Sequence, residues 1–198
     1  MSDDGHLIEH RLAGEQLLQG DFLDVRRDTV RLPGGDSATR EYVVHPGAVM
    51  IVPILDDGRL VLERQYRYPL RQVLLEFPAG KIDPGEDRWC SAIRELAEET
   101  GYRAREWASA GVLHNAAAYS TEFIEIWFAR GLVLGEQTLD HGEFIEVILM
   151  DEVALDACAA SGGLTDAKTL IGLLWLQKWR AGRWPLDWRA VETAPACR

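Results

Sequence analysis

Basic residues are scarce in this chain. Of 198 residues, 21 are Lys or Arg against 32 Asp or Glu, giving a net charge of −11 and a pI of about 4.9. A protein that grips a nucleic-acid backbone displays a basic patch, so no nucleic-acid partner is expected. A small anionic substrate stays open, because bound divalent ions reverse the local sign. Cysteine is scarce too. Cys90, Cys158 and Cys197 have neither metal-ligand nor redox spacing, and their odd number fits a reducing compartment better than a disulfide framework. No uninterrupted apolar run approaches the roughly 20 residues that span a bilayer, so no membrane partner is expected. The start, MSDDGHLIEH, lacks the basic-then-apolar pattern of a signal peptide, and the expected location is the cytoplasm. Internal repeats and low-complexity linkers are absent as well.

What is present is core material: 47% of residues are hydrophobic and 27% charged, the profile of a globular domain. Residues 1–18 are polar and helix-compatible at best. DFLDVRRDTVRL and TREYVVHP then read as strands around the turn-rich PGGDSA. AVMIVPIL is an apolar run of strand length, and Asp57–Gly58 marks a hairpin into RLVLERQY. VLLEFPAG is a short strand ending in a turn. A helix is expected from about Asp87 to Thr100, stopped by Gly101 at the C′ position. Strands at AREWASAGVL, EFIEIWFAR and EFIEVILM follow. DEVALDACAAS and TDAKTLIGLLWLQKWR then show helical spacing, the second capped by Thr165 or Asp166. This order predicts an α+β or αβα layered domain. Trp175 and Trp179, spaced i, i+4 with Leu170, Ile171 and Leu174, read as core or dimer contact. Trp89 and Trp127 fall on packing faces, and Trp184 and Trp188 read as a tail covering the domain.

The chemistry concentrates in RELAEETG, Arg94 to Gly101. At about 100° per residue Glu95, Glu98 and Glu99 point to one side, while Ile93, Leu96, Ala97 and Thr100 point to the other. Like charges at this spacing destabilise a helix by roughly 0.2–0.5 kcal/mol per pair, and no lysine relieves them. Glutamates on a helix face are ordinarily wetted surface. Here GKIDPGE adds Gly80 and Glu86 just upstream, with Pro84 and Gly85 bending the chain between them. Crowded oxygen-only groups of high negative charge are what hard Mg²⁺ or Mn²⁺ ions prefer.

Gly80, five residues, Glu86, seven residues and then Arg94-Glu95-Leu96-Ala97-Glu98-Glu99-Thr100-Gly101-Tyr102 resembles the Nudix box, GX5EX7REUXEEXGU. Leu96 and Tyr102 fill its bulky positions. The resemblance implies an α+β Nudix-type αβα sandwich with a mixed sheet and N-terminal antiparallel strands. It also implies divalent cations, Mg²⁺ or Mn²⁺, two to three per active site. Glu95, Glu98 and Glu99 would be metal ligands. Arg94 would orient the carboxylates, and Gly80 and Glu86 would support the loop–helix geometry.

ERQYRYP, LLEFPAGKID, TDAKTLIGLLWLQ and VRRDTVRLPGG…REYVVHPGAV are similar to the bacterial ADP-ribose pyrophosphatase branch. That similarity implies a metal-binding carbonyl at Ala79 and substrate contacts at Arg67 and Glu76. It implies a strand extension over residues 1–45 that dimerises, followed by the hydrolase domain over 46–198. In the resulting homodimer, Phe22 and Arg40 would reach an adenine site. The branch carries a proline about 16 positions past the box, where this chain has Ala117. Nearby Tyr119, Ser120 and Glu122 resemble the tail of that loop, with Glu122 as a substrate contact. In LDHGEFIEV, Asp140, Glu143 and Glu146 are candidates for the carboxylate that serves the attacking water. Glu143, at the strand entrance, is preferred, as a metal ligand, as the base or as both, and His141 is the weaker candidate for the base. Glu99 and Glu143 are thus the candidate catalytic pair, for ADP-ribose hydrolysis to AMP and ribose 5-phosphate. The alternatives are a hydrolase of another nucleoside diphosphate sugar such as GDP-mannose, or a non-catalytic ADP-ribose-type sensor.

Overall fold

Every residue of strand β4 (Ala48–Ile54) is buried, because its two faces pack against different layers. Ala48, Met50, Val52 and Ile54 share one apolar cluster with Leu155, Leu164, Leu173 and Leu176. Val49 and Ile51 alternate into a second cluster with Trp89, Ala92, Leu96, Trp107 and Trp127. A strand apolar on both faces is one sandwiched between helices, and β4 pairs in parallel with β9 (Ile124–Leu134) at its centre. The computed structural model describes residues 4–191 and 197. These described residues form two compact units: 4–47 with 116–122, and 48–115 with 123–191 and 197.

In the larger unit the remaining strands are β5 (Leu60–Arg67), β6 (Gln72–Glu76), β7 (Ala79–Lys81), β8 (Tyr102–Leu113), β10 (Ile145–Met150) and β11 (Arg189–Ala190). They run in the order β10-β5-β4-β9-β8-β11, with β6 on β5 and β7 on β4. Helix α1 (Arg88–Thr100) covers one face. The other is covered by α2 (Glu152–Ala160) and α3 (Ala167–Arg180). This is the expected αβα sandwich around a mixed sheet. Asp87 caps α1 by accepting from the Trp89 N–H at 2.9 Å, and Gly101 ends it at φ 75°, a conformation costly for any other residue. Of the two caps considered for α3, Asp166 takes the role.

In the smaller unit β1 (His10–Gln19), β2 (Asp24–Arg31) and β3 (Ser37–Val44) form an antiparallel sheet. The segment 116–122 joins it: the Val43 N–H donates to the Tyr119 carbonyl, and the Thr121 N–H to the Val43 carbonyl. β1 corrects the expectation for residues 1–18. All ten of its residues are exposed, and its register shifts twice, so the period-2 signature of a half-buried strand is missing. Pairing with β2 imposes the strand instead.

A second correction concerns cysteine. Cys90 of α1 is disulfide-bonded to Cys197 with a Cα–Cα distance of 5.3 Å, leaving Cys158 free. Across 107 positions of sequence neither count nor spacing shows that the chain returns to α1. The tryptophans follow the packing reading: Trp175 meets Trp184 edge-on at 4.8 Å, and Trp179 lies against Phe128 and Trp188.

Candidate active site

Helix α1 turns its acidic side inward. Glu95 is 9% and Glu99 3% exposed, so these are not wetted surface groups, while Glu98 is half-buried. Arg94 gathers the cluster. Its guanidinium donates to both Glu86 oxygens at 2.9 and 2.8 Å, to Glu95 at 2.9 Å and to Glu98 at 3.0 Å, and also to the Lys81 carbonyl. Glu86 in turn accepts from the Asp83 N–H, which ties the bend before the helix to the helix itself. Glu99 accepts from the Ala79 N–H at 2.9 Å. A Cβ on Gly80 would lie 2.0 Å from the Glu95 carboxylate, so only glycine lets that group rest over β7.

A second cluster joins β5, β6 and the start of α3. Arg67 donates in bidentate fashion to Glu76 at 2.7 and 2.8 Å, and Lys168 pairs closely with the same buried carboxylate and with Asp166 at 3.1 Å. Sequence reasoning named Arg67 and Glu76 but missed Lys168, whose signal was its place two residues past a helix cap. It also missed Glu63, which is fully buried with neither carboxylate oxygen hydrogen-bonded. The register sets Glu63 directly across from Glu76. Leu60 and Leu62 point into the α2/α3 core, so by alternation Glu63 points to the α1 side.

The electrostatics follow from burial. Burial, eased only partly by Arg94, raises Glu95 to about 7. Burial and then the neighbouring Glu63 push Glu99 well above the carboxylate range, and burial followed by Glu76 does the same to Glu63. Glu76 goes the other way: burial opposes its ionisation, but Arg67 and Lys168 more than offset this and hold it low. Glu86 is held low by the Arg94 hydrogen bond.

Glu143 is half-buried in the turn before β10 and accepts from the Asp140 N–H at 3.3 Å. Its charge is felt at both Glu95 and Glu99. Glu146, by contrast, is exposed and paired with Arg64 at 2.8 Å, and His141 is exposed. The other named residues belong to the smaller unit. There Phe22 meets His45 edge-on at 5.7 Å, and Glu122 lies 3.7 Å from the same imidazole. Arg40 pairs with Glu9 and lines a pocket of about 300 Å³ with Tyr42, Ala117 and Tyr119.

Among the described residues no three carboxylate, histidine or cysteine groups converge as a ready metal cage. Arg94 itself stands among Glu86, Glu95 and Glu98. The carboxylate chemistry nonetheless fits a hard divalent cation: acceptor oxygens, the buried Glu99 with no ion pair among the described residues, and the orphaned oxygens of Glu63.

Residues 44–167 match the NUDIX domain family, and residues 9–43 match the nucleoside diphosphate sugar hydrolase N-terminal domain family. The ADP-ribose pyrophosphatase of Bacillus subtilis is 35% identical over 176 residues, covering 86% of this chain and 94% of that protein. The ADP-ribose pyrophosphatase of Mycobacterium tuberculosis is 41% identical over 134 residues, 67% of this chain and 65% of its own length. A crystal structure of an ADP compounds hydrolase superposes with a TM-score of 0.79 at 26% identity, covering 88% of this chain and 95% of that one.

Proposed function

We propose a reaction from one premise: the chain belongs to the Nudix hydrolase family. It is a hydrolase similar to ADP-ribose pyrophosphatases. Its reaction, in our reading, is Mg²⁺- or Mn²⁺-dependent cleavage of the ADP-ribose pyrophosphate to AMP and ribose 5-phosphate. The observation that carries this reading is the inward acidic face of α1, with Glu95 lying over Gly80 and Glu99 anchored on Ala79.

In this mechanism Glu95, Glu98, Glu99 and the Ala79 carbonyl would hold the ions. A divalent cation held there would supply charge neutralisation for the phosphates and a lowered pKa for a water ligand. Arg94 keeps Glu95 and Glu98 aimed, and Glu86 keeps Arg94 in place. Arg67, fixed by Glu76 and Lys168, offers its remaining donors to a phosphate or ribose oxygen. Glu143 takes the proton of the attacking water, consistent with its electrostatic reach to Glu95 and Glu99. Phe22, Arg40 and Glu122 serve the nucleoside end in a homodimer working in the cytoplasm.

Ala117 favours one second reading, a preference for another nucleoside diphosphate sugar, because the loop lacks a rigid proline. A panel of ADP-ribose, GDP-mannose and NADH with Mg²⁺ or Mn²⁺, with products separated by chromatography, decides. We expect ADP-ribose to be turned over fastest, with AMP and ribose 5-phosphate released in equal amounts. Faster cleavage of GDP-mannose, or no cleavage at all, would overturn the assignment.

A further inference from the structure

Glu63 has no role in the mechanism above, yet its placement demands one. The side chain is fully buried and neither oxygen meets a hydrogen-bond donor. An ionised carboxylate buried in this way needs a compensating cation, and the basic side chains nearby are taken. Lys168 and Arg67 are both committed to Glu76, and Arg94 pairs with Glu86, Glu95 and Glu98. Among the described residues neither Glu63 nor Glu99 forms an ion pair of its own.

By strand alternation Glu63 turns to the face of the sheet that α1 covers, the face on which Glu99 is anchored to Ala79. Two residues further along the same strand face, the Gln65 side-chain oxygen is also buried and unpartnered. Three acceptor oxygens without donors therefore line the strand opposite the inward carboxylates of α1. Such a set suits a hard cation, which takes oxygen ligands and no donors.

We propose that Glu63 is a further carboxylate of the cation site, facing Glu99 from β5 and contributing oxygen to the ion that Glu99 holds. This rests on the cation-dependent reading of the site. It adds an inner wall, drawn from the sheet, to a cluster otherwise supplied by the helix and its preceding loop.

The test is Mn²⁺ binding to the purified full-length protein, followed by electron paramagnetic resonance of the free ion, with no substrate present. Wild type, Glu99→Gln, Glu63→Gln and Glu63→Leu are compared, each with its thermal unfolding in EDTA and in saturating Mn²⁺. We expect Glu63→Gln to raise the Mn²⁺ Kd by about tenfold or more. The same variant gains less thermal stability from saturating Mn²⁺ than wild type does. Glu63→Leu, which fills the space without oxygen, weakens Mn²⁺ at least as much. If Glu99→Gln loses Mn²⁺ while both Glu63 variants bind it as wild type does, Glu63 is a buried acid only and the proposal falls alone. If wild type binds no Mn²⁺, or Glu99→Gln binds it normally, the cation reading itself falls and takes this inference with it.

Discussion

Gly80 shows how one missing side chain positions a functional group. Its added Cβ would meet the far end of Glu95, a flexible chain, rather than backbone. Gly80→Ala should therefore leave unfolding free energy within about 1 kcal/mol of wild type, while displacing the carboxylate and lowering kcat/KM by about 100-fold. Denaturant titration beside steady-state kinetics checks this; a matching loss of stability would mean that the glycine serves the backbone instead. Glu95 also sets a pH dependence. Its carboxyl titrates near 7 when folded against an ordinary 4.5, so the folded chain holds the proton more tightly than the unfolded one. That contribution is present below 4.5 and is lost as pH climbs to about 7. In EDTA the melting temperature should fall between about pH 4.5 and pH 7, and Mg²⁺ should flatten the fall. A melting temperature that rises through this window in EDTA would contradict the burial argument.

Among the elements, α3 does more than cover the sheet. Asp166 accepts from the Thr169 N–H at 2.9 Å and from its hydroxyl at 2.6 Å. The Thr169 oxygen then accepts from the Phe77 N–H, at the end of β6. One helix cap thus fixes the chain that carries Glu76 and Ala79. Asp166→Ala should cost about 1–2 kcal/mol in urea unfolding and raise KM, since Lys168 and Glu76 lose their anchor. An unchanged KM would confine the cap to stability. At this scale much could be read in advance. β4 showed itself by an apolar run and α1 by its spacing and Gly101, because those signals are local. β1 did not, since its partner lies in the next strand and neither of its faces is buried. Glu63 escaped for a related reason. In LVLERQY it reads as the first residue of a polar stretch, and only register and the helix above it bury it. Lys168 needed the closure of α3 onto β6, a contact across 92 positions.

At the scale of the whole molecule the exposed surface bears on assembly. Leu12, Leu17 and Leu18 of β1 and the nearby Phe22 are exposed apolar groups on a three-stranded sheet, more than an isolated surface strand needs. We expect light scattering to give twice the chain mass of 22.2 kDa, and Leu12→Glu with Leu17→Glu to reduce it to one. A wild-type monomer at micromolar concentration would refute the dimer. Arg94 has a different consequence at this scale. By standing among Glu86, Glu95 and Glu98 it acts as a resident counter-ion, so the acidic segment is assembled before any metal arrives. If the proposed cation-dependent reaction holds, magnesium starvation would idle the enzyme without unravelling it, and replenishment would restore turnover at the speed of ion exchange, with no refolding to wait for.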